Sequence, residues 1–319
     1  MTKKILITGA LGQIGTELTL ALKKIYGDNN VISSDLKKDH VSSEFSPYEI
    51  LDVLDKNQLS AIIKKHRIDT IYHLGAILSA TGEKNPQLCF DVNLIGLYNV
   101  LEVSRELKIQ QIICPSSIAV FGPSTPRINT PQETIILPKT MYGLTKASGE
   151  LLCEYYVEKY QMDIRGLRYP GLISHKALPG GGTTDYAVEI FYEALQKNSY
   201  QCFLNPNTTL PMMYMDDAIR GTIELAQADF SKLTHHVNFN FAGISFSCEE
   251  LANEIKKHLK DFKINYLPDF RQNIADSWPN SIDDSCARKE WGWKCQYDLA
   301  KLVITMIENL RIKLGISQK

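Results

Sequence analysis

The sequence predicts an α/β protein, a Rossmann-type doubly wound parallel sheet followed by a smaller α/β C-terminal region. Three observations carry that prediction. Short apolar, β-rich runs alternate with longer helical segments as far as Tyr169, which is how a parallel sheet with crossover helices reads. A glycine-rich turn separates the first apolar run from the first helical segment. After Tyr169 the texture changes to glycine-, proline- and aromatic-rich turns.

The strands are expected at residues 5–8, 31–35, 70–74, 111–116 and 163–169, all apolar enough to lie in a sheet covered on both faces. Helices are expected between them at 13–26, 57–66, 85–107 and 141–160, with apolar residues at helical spacing such as Ile14, Leu18 and Leu22. A further helix is expected near 184–197, and strands near 237–241 and 264–267, either of which can return to the first sheet. Residues 1–169 then form a nucleotide-binding Rossmann domain carrying the catalytic groups, and 170–319 a mainly substrate-binding region.

Composition narrows the partners. With 319 residues, 44% hydrophobic and 22% charged, the chain can bury a large core, which excludes a disordered or fibrous protein. Its 35 Lys and Arg against 36 Asp and Glu leave a net charge of -1 and no global field to gather nucleic acid or an anionic membrane. A small molecule is the expected partner. No apolar run is long enough to cross a bilayer, and Gly9, Gly12 and Gly15 interrupt the N-terminal apolar segment before it resembles a signal sequence. No Arg-rich leader precedes the first strand, so a cytoplasmic location is expected. The seven cysteines are scattered without CxxC spacing and read as reduced thiols. The single adjacent histidine pair, His235-His236, has no cysteine cluster near it in the sequence, so no metal site is expected.

The turn Ile5-Leu-Ile-Thr-Gly-Ala-Leu-Gly-Gln-Ile-Gly15 places three glycines between a strand and a helix. Glycine lets the backbone turn sharply, lets a pyrophosphate approach without meeting a Cβ, and lets the helix sit close to the strand. The phosphates then face the helix N-terminus, which makes Gly9, Gly12, Gln13, Ile14 and Gly15 the expected cofactor-binding turn. Asp35, ending the second strand, can accept hydrogen bonds from an adenosine ribose and repel a 2′-phosphate, favouring NAD; Lys37 and Lys38 argue mildly the other way. Asp52, with its neighbour Val53, is placed to meet adenine, or else Asp52 caps a helix.

Tyr142 and Lys146 lie four residues apart in Met141-Tyr-Gly-Leu-Thr-Lys146, on one face of a helix. A phenol has a pKa of about 10 and needs a nearby ammonium to act as a base near neutrality. Ser117, at the end of the fourth strand, can hold a substrate oxygen beside Tyr142, and Ser116 is the neighbouring candidate. A YxxxK pair alone is commonplace, but combined with the glycine turn and the serine pair it reads as hydride transfer to NAD with a tyrosine base.

Over essentially its full length the chain resembles the extended short-chain dehydrogenase/reductases. The resemblance rests on Thr8-Gly-Ala-Leu-Gly-Gln-Ile-Gly15, His73-Leu-Gly-Ala76, Asp91-Val-Asn93, Pro115-Ser-Ser-Ile-Ala-Val-Phe-Gly122, Tyr142-Gly-Leu-Thr-Lys146 and Arg168-Tyr-Pro-Gly171. It implies that Leu74, Gly75 and Ala76 line the cofactor, that Asn93 supports the central helix and the site, and that Tyr169 and Pro170 flank the nicotinamide. Gly75-Ala76 stands where the family has Ala-Ala, and Phe121 where it has tyrosine. The resemblance also implies a homodimer pairing through the YxxxK helix and its neighbour. Leu94, Leu97, Leu151, Leu152 and Tyr156 then serve either that contact or the core.

The segment from Leu172 to Tyr192, with Leu210-Pro-Met-Met-Tyr-Met-Asp-Asp217 and Ala76-Ile-Leu-Ser-Ala80, is similar to the branch of short-chain-type L-threonine 3-dehydrogenases. That implies Ser79, Thr184 and Trp278 in a substrate pocket. The loop offers N–H groups at 180–182, hydroxyls at Thr183 and Thr184 and a carboxylate at Asp185, partners of both kinds for a zwitterion. Gly182, Thr183, Thr184 and Asp185 therefore join Ser79, Ser116, Ser117, Tyr142 and Trp278 as substrate-site candidates. A glycine turn followed by a threonine helix cap explains the same residues without a ligand. The reaction implied is oxidation of L-threonine at Cβ to 2-amino-3-ketobutyrate with NADH. The alternatives are a nucleotide-sugar epimerase or dehydratase, for which Arg220 and Arg271 are the available cations, and a non-catalytic NAD-sensing regulator.

Overall fold

The computed structural model describes residues 3–39, 41–178 and 180–316. The strand β1 (Ile5–Thr8) leads through the glycine turn into α1 (Gln13–Tyr26), followed by β2 (Val31–Asp35), β3 (Tyr48–Ile50) and α2 (Lys56–His66). β4 (Thr70–His73) precedes α3 (Ser79–Lys84), α4 (Pro86–Phe90), a π-helical turn over Asp91–Ile95 and α5 (Gly96–Glu106). Then come β5 (Gln111–Ile113), β6 (Ser116–Ser117), α6 (Met141–Tyr160), β7 (Ile164–Arg165), β8 (Leu167–Tyr169) and β9 (Gly171–Ile173). The remaining chain forms α7 (Tyr186–Lys197), β10 (Ser199–Cys202), β11 (Thr209–Tyr214), α8 (Met215–Gln227), β12 (Phe239–Asn240) and β13 (Ile244–Ser247). It ends in α9 (Cys248–His258), β14 (Lys263–Tyr266), α10 (Arg271–Asp276), α11 (Ser285–Trp291) and α12 (Leu299–Leu314).

Six strands form a parallel sheet in the order β3-β2-β1-β4-β5-β7. The chain runs outward from β1 to β2 and β3, then crosses back to β4, so the order reverses between β1 and β4. A crevice opens at the carboxyl ends of the strands at such a point. Alternation along β1 shows why both faces are covered: Ile5 and Ile7 enter one core with Leu18, Leu22 and Tyr72, whereas Leu6 enters the other with Leu59, Ile71 and Val100. A third core, around Tyr186, Phe191, Phe246, Leu251 and Met306, fills the C-terminal region.

Helices α1 and α6 match the predicted 13–26 and 141–160. Elsewhere the structure differs for local reasons. The expected strand 163–169 breaks at Gly166, where a Cβ would lie 2.5 Å from the carbonyl oxygens of both Cys114 and Val237. Three segments crowd there, and the chain bends. The expected strand 111–116 likewise divides into β5 and β6, and β6, β8 and β12 form a short sheet of their own. The strand expected at 237–241 is thus β12 beside β8, whereas the one expected at 264–267 is β14, paired with β10 apart from the first sheet. The helix expected over 85–107 contains a π-helical turn, and the helix expected from 184 starts at Tyr186. Leu97 and Tyr156 belong to the core, whereas Leu151 is 75% exposed.

A buried polar network fixes α6 to these strands. Arg168, 1% exposed, donates to Glu150 through Nε (3.0 Å to Oε1) and Nη2 (2.8 Å to Oε2). Its Nη1 reaches the Gln132 carbonyl and Asn240 Oδ1, each at 3.1 Å, and Ser116 Oγ donates to Glu150 Oε1 at 2.5 Å. Removing one member of a buried pair leaves an uncompensated charge. Glu150→Ala is therefore expected to cost about 3–5 kcal/mol of stability, read as a lower urea midpoint with an unchanged slope.

Candidate active site

The glycine turn at the end of β1 shows which glycines the fold itself requires. Gly9 has φ +69°, and a Cβ there would lie 2.7 Å from Gly75 N; a Cβ on Gly15 would lie 2.1 Å from the Gly9 carbonyl. Gly12, at the N-cap of α1, makes no side-chain cap, and the first turn of α1 has no acidic residue. Its N–H groups are open to an anion, and the helix dipole favours one. A cavity of about 690 Å³ lies against Gly9, Gly12, Gln13, Ile14 and Gly15 on one side and Leu74 and Ala76 on the other. The residues present thus fit a dinucleotide.

Asp35 closes β2 with its carboxylate held by Leu11 N (3.1 Å) and Leu36 N (2.8 Å), and each oxygen keeps capacity for a second donor. Asp52 accepts from Leu54 N at 2.9 Å, and the cap of α2 is Asp55, which accepts from Gln58 N at 2.9 Å. The helix-cap reading of Asp52 therefore gives way. The Val53 side chain packs on Gly96, where a Cβ would lie 2.8 Å from Val53 Cγ2. Asn93 clamps the segment after β4, donating to the Ile77 carbonyl (3.0 Å) and accepting from Ile77 N (2.8 Å). Asp35, Asp52, Val53, Gly75 and Asn93 line neither this cavity nor the smaller one that adjoins it.

That smaller cavity, about 130 Å³, shares Gln13, Ile14, Leu74, Ala76 and Leu78 with the first, and Ser116, Ser117, Tyr142, Lys146, Tyr169 and Pro170 all reach it. Thr140 caps α6 by accepting from Gly143 N at 3.0 Å, which starts the helix at Met141, one residue before Tyr142. Lys146 Nζ lies 5.8 Å from the Tyr142 ring centre and donates to the Pro115 carbonyl at 2.9 Å, tying the YxxxK face to the serine strand. The serine pair divides its labour. Ser116 spends its proton on Glu150, whereas Ser117 accepts from Ala119 N at 3.2 Å and keeps its own proton free among the described residues. Tyr169, buried and bonded to Thr222 Oγ1, has its phenol pushed up by burial and stays neutral.

The loop before α7 closes the far side. Ser79 Oγ lies 3.1 Å from Thr183 Oγ1 and accepts from Thr183 N at 3.2 Å. Asp185 Oδ2 takes the N–H groups of Gly181 (2.9 Å) and Gly182 (2.8 Å). These two N–H groups, expected to hold a substrate carboxylate, are thus already used within the loop. Burial pushes the Asp185 carboxyl up, opposed by those same N–H groups. Gly182, Thr183, Thr184, Asp185 and Trp278 all line the cavity; Trp278 also packs in the C-terminal core. Pro179, in the same loop, lies outside the described residues.

Sequence reasoning missed what holds the loop's base. Glu17 bonds Ser174 Oγ and pairs with Lys176 (2.9 Å), and Lys313 of α12 donates to the carbonyls of Lys176 (2.8 Å) and His175 (3.1 Å). These residues stand far apart in the chain and carry no local signal. His73, quoted only as part of a motif, lines the cavity with Nδ1 2.8 Å from Thr8 Oγ1. Burial first, then the charge of Lys146, lowers its pKa to about 3.

A crevice at the strand-order reversal, joined to a serine, a tyrosine and a lysine, defines an NAD-dependent oxidoreductase. Residues 5–239 match the NAD dependent epimerase/dehydratase family, and the chain belongs to that family. It is 49% identical over 314 residues, 98% of each chain, to an uncharacterized epimerase/dehydratase of Staphylococcus saprophyticus. Among solved structures it is similar to a monomeric L-threonine 3-dehydrogenase from a metagenome in its apo form, with TM-score 0.94 and 52% identity over 97% of this chain and 99% of that one. It is also similar to the L-threonine dehydrogenase of Clostridium difficile, with TM-score 0.95 and 50% identity over 99% of both chains.

The lowered pKa of His73 sets a pH dependence. Between its unfolded value of 6.5 and its folded value of about 3, the unfolded chain binds a proton that the native state does not. Its contribution is complete above that window and is lost as pH falls through it. Thermal melts of His73→Gln across the window should show a shallower fall in Tm with acidification than the parent protein.

Proposed function

We propose that this protein oxidises L-threonine at its Cβ hydroxyl, giving 2-amino-3-ketobutyrate, NADH and a proton. The observation that carries the reading is the small cavity itself. Its lining includes the uncommitted hydroxyls of Ser117 and Tyr142 together with a buried carboxylate, Asp185, whose Oδ1 has no hydrogen-bond partner among the described residues. An amino acid bearing a hydroxyl suits that arrangement, and the similar solved structures carry the name threonine dehydrogenase.

NAD, held by the glycine turn, Asp35 and Lys146, supplies the hydride acceptor. Ser117 donates to the substrate hydroxyl oxygen and orients it. Tyr142 takes the hydroxyl proton, and Lys146 sets a positive charge beside the phenol while anchored on Pro115. Asp185 holds the ammonium, and the hydroxyls of Thr184 and Ser79 hold the carboxylate. Thr183, 1% exposed, and Trp278, 4% exposed, form part of the buried wall of the pocket, which limits water around the reacting atoms. A nucleotide sugar finds less here: Arg220 is paired with Asp217 (2.7 Å) and Arg271 with Asp269 (2.6 Å), so neither cation is free for a second diphosphate.

The test is NADH absorbance with L-threonine, beside L-serine, L-allo-threonine, NADP and a UDP-sugar. Threonine-dependent NADH formation is expected, with Tyr142→Phe reducing kcat by a factor on the order of 10² to 10⁴ and leaving NAD affinity nearly unchanged. Turnover of the UDP-sugar with silence on threonine would refute the substrate while keeping the catalytic trio.

We further place the reaction in the cytoplasm, where the seven free thiols stay reduced; no helix among the described residues is long and apolar enough to cross a membrane. We also propose a homodimer. Ile95, Tyr98, Leu151 and Tyr155 are exposed on α6 and on the rod formed by α4, the π-helical turn and α5, and an apolar face of this kind suits a second copy. Light scattering should give twice the chain mass for the parent protein and the single mass for Leu151→Glu; a parent protein at the single mass would refute the dimer.

A further inference from the structure

Away from the cleft, the fold assembles one group of metal-type donors among the described residues. His235 lies in the segment entering β12, and α11 carries Cys286 and Glu290 four residues apart, on one face. A ring nitrogen, the thiol sulfur and a carboxylate oxygen lie within 4.8 Å of one another. Glu290 and His235 are 55 positions apart in the chain, which is why linear spacing hides the group.

The donors are held in place. Glu290 Oε2 accepts from the backbone of Thr234 (2.6 Å) and His235 (3.2 Å), and Oε1 accepts from Thr234 Oγ1 (2.7 Å) and lies 2.6 Å from His235 Nδ1. On its other side the ring meets Glu133, with Nε2 3.3 Å from Oε1. Burial first, then the fields of Glu290, Asp283 and Glu133, push the Cys286 thiol up, with Lys289 opposing them. A bound cation reverses such a field and holds a thiolate.

We propose that His235, Cys286 and Glu290 form a three-ligand site for a zinc-class divalent cation. The ligands are imidazole Nδ1, the Cys286 thiolate and Glu290 Oε1, with water in the fourth position. Zinc bonds of about 2.0–2.3 Å set tetrahedral donors roughly 3.5 Å apart, within reach of small side-chain rotations. An imidazole–thiolate–carboxylate set suits zinc and excludes the all-oxygen preference of calcium and magnesium. With the cation on Nδ1, the neutral ring carries its proton on Nε2, facing Glu133, an orienting contact usual for a zinc-bound histidine. Cys286 releases one proton to solvent. Thiolate and carboxylate then balance the two positive charges.

The cation would brace α11 against the segment leading into β12, the strand that pairs with β8. It acts on stability and stands apart from the catalytic reading, so the fate of one leaves the other intact.

Chelator-treated full-length protein is titrated with ZnCl2 by calorimetry and with CoCl2 by absorption. One zinc per chain is expected, with a thiolate-to-cobalt charge-transfer band and a zinc-dependent rise in Tm of a few degrees. His235→Ala and Cys286→Ser should each weaken zinc binding by about tenfold or more, and Cys286→Ser should abolish the band. Glu133→Gln, at a carboxylate 82% exposed, provides a variant that folds and should weaken binding more mildly. Less than one zinc per chain, or binding unchanged by both ligand substitutions, overturns the site.

Discussion

The ion pair between Glu150 and Arg168 is the interaction on which the arrangement of the site rests. A guanidinium so deeply buried is tolerable only when its charge and donors are answered, and here each of its three nitrogens finds an acceptor, from α6, from Asn240 on β12 or from the Gln132 carbonyl. The same carboxylate takes the proton of Ser116. A single contact therefore positions the helix carrying Tyr142 and Lys146 against the strand end carrying Ser117, and it decides which of two adjacent serines is free. Chemistry at the cleft and packing beneath it share one set of atoms.

Electrostatics divides the pocket. Lys146 brings positive charge to its cofactor side, and His73, kept neutral by burial, adds none of its own. Asp185, also on the cavity wall, is held by two N–H groups and, among the described residues, forms no salt bridge, with Arg271 the only cation whose field reaches it. Such a buried carboxylate is costly unless a charged partner arrives, and this is the feature on which the proposed amino-acid substrate rests.

Much of this was legible in the sequence because it is local. The glycine turn, the ends of α1 and α6, and the four-residue spacing of Tyr142 and Lys146 are short-range facts, and periodicity reads them directly. The breaks at Gly166 and between β5 and β6 were not legible, because they arise from strands that crowd only after folding. Nor was the capture of Gly181 and Gly182 by Asp185, since a run of glycines looks the same whether its N–H groups are open or taken. Ser116 and Ser117 are equivalent until Glu150 arrives from a helix further along the chain. Lys313 and Glu17 meet the loop only in three dimensions.

The π-helical turn at Asp91–Ile95 carries a consequence for the long rod that contains it. An α-helix advances about 100° per residue, and a π turn takes up one extra residue without breaking the rod. The faces before and after it are therefore out of phase. That offset lets Asn93 turn toward Ile77 while Leu97, Val100 and Leu101 still meet the sheet. Deleting one residue from this turn would restore a regular helix and rotate one half against the other, so the rod could seat either its clamp or its apolar stripe but not both. In this segment the irregularity is what reconciles a polar task with a packing task.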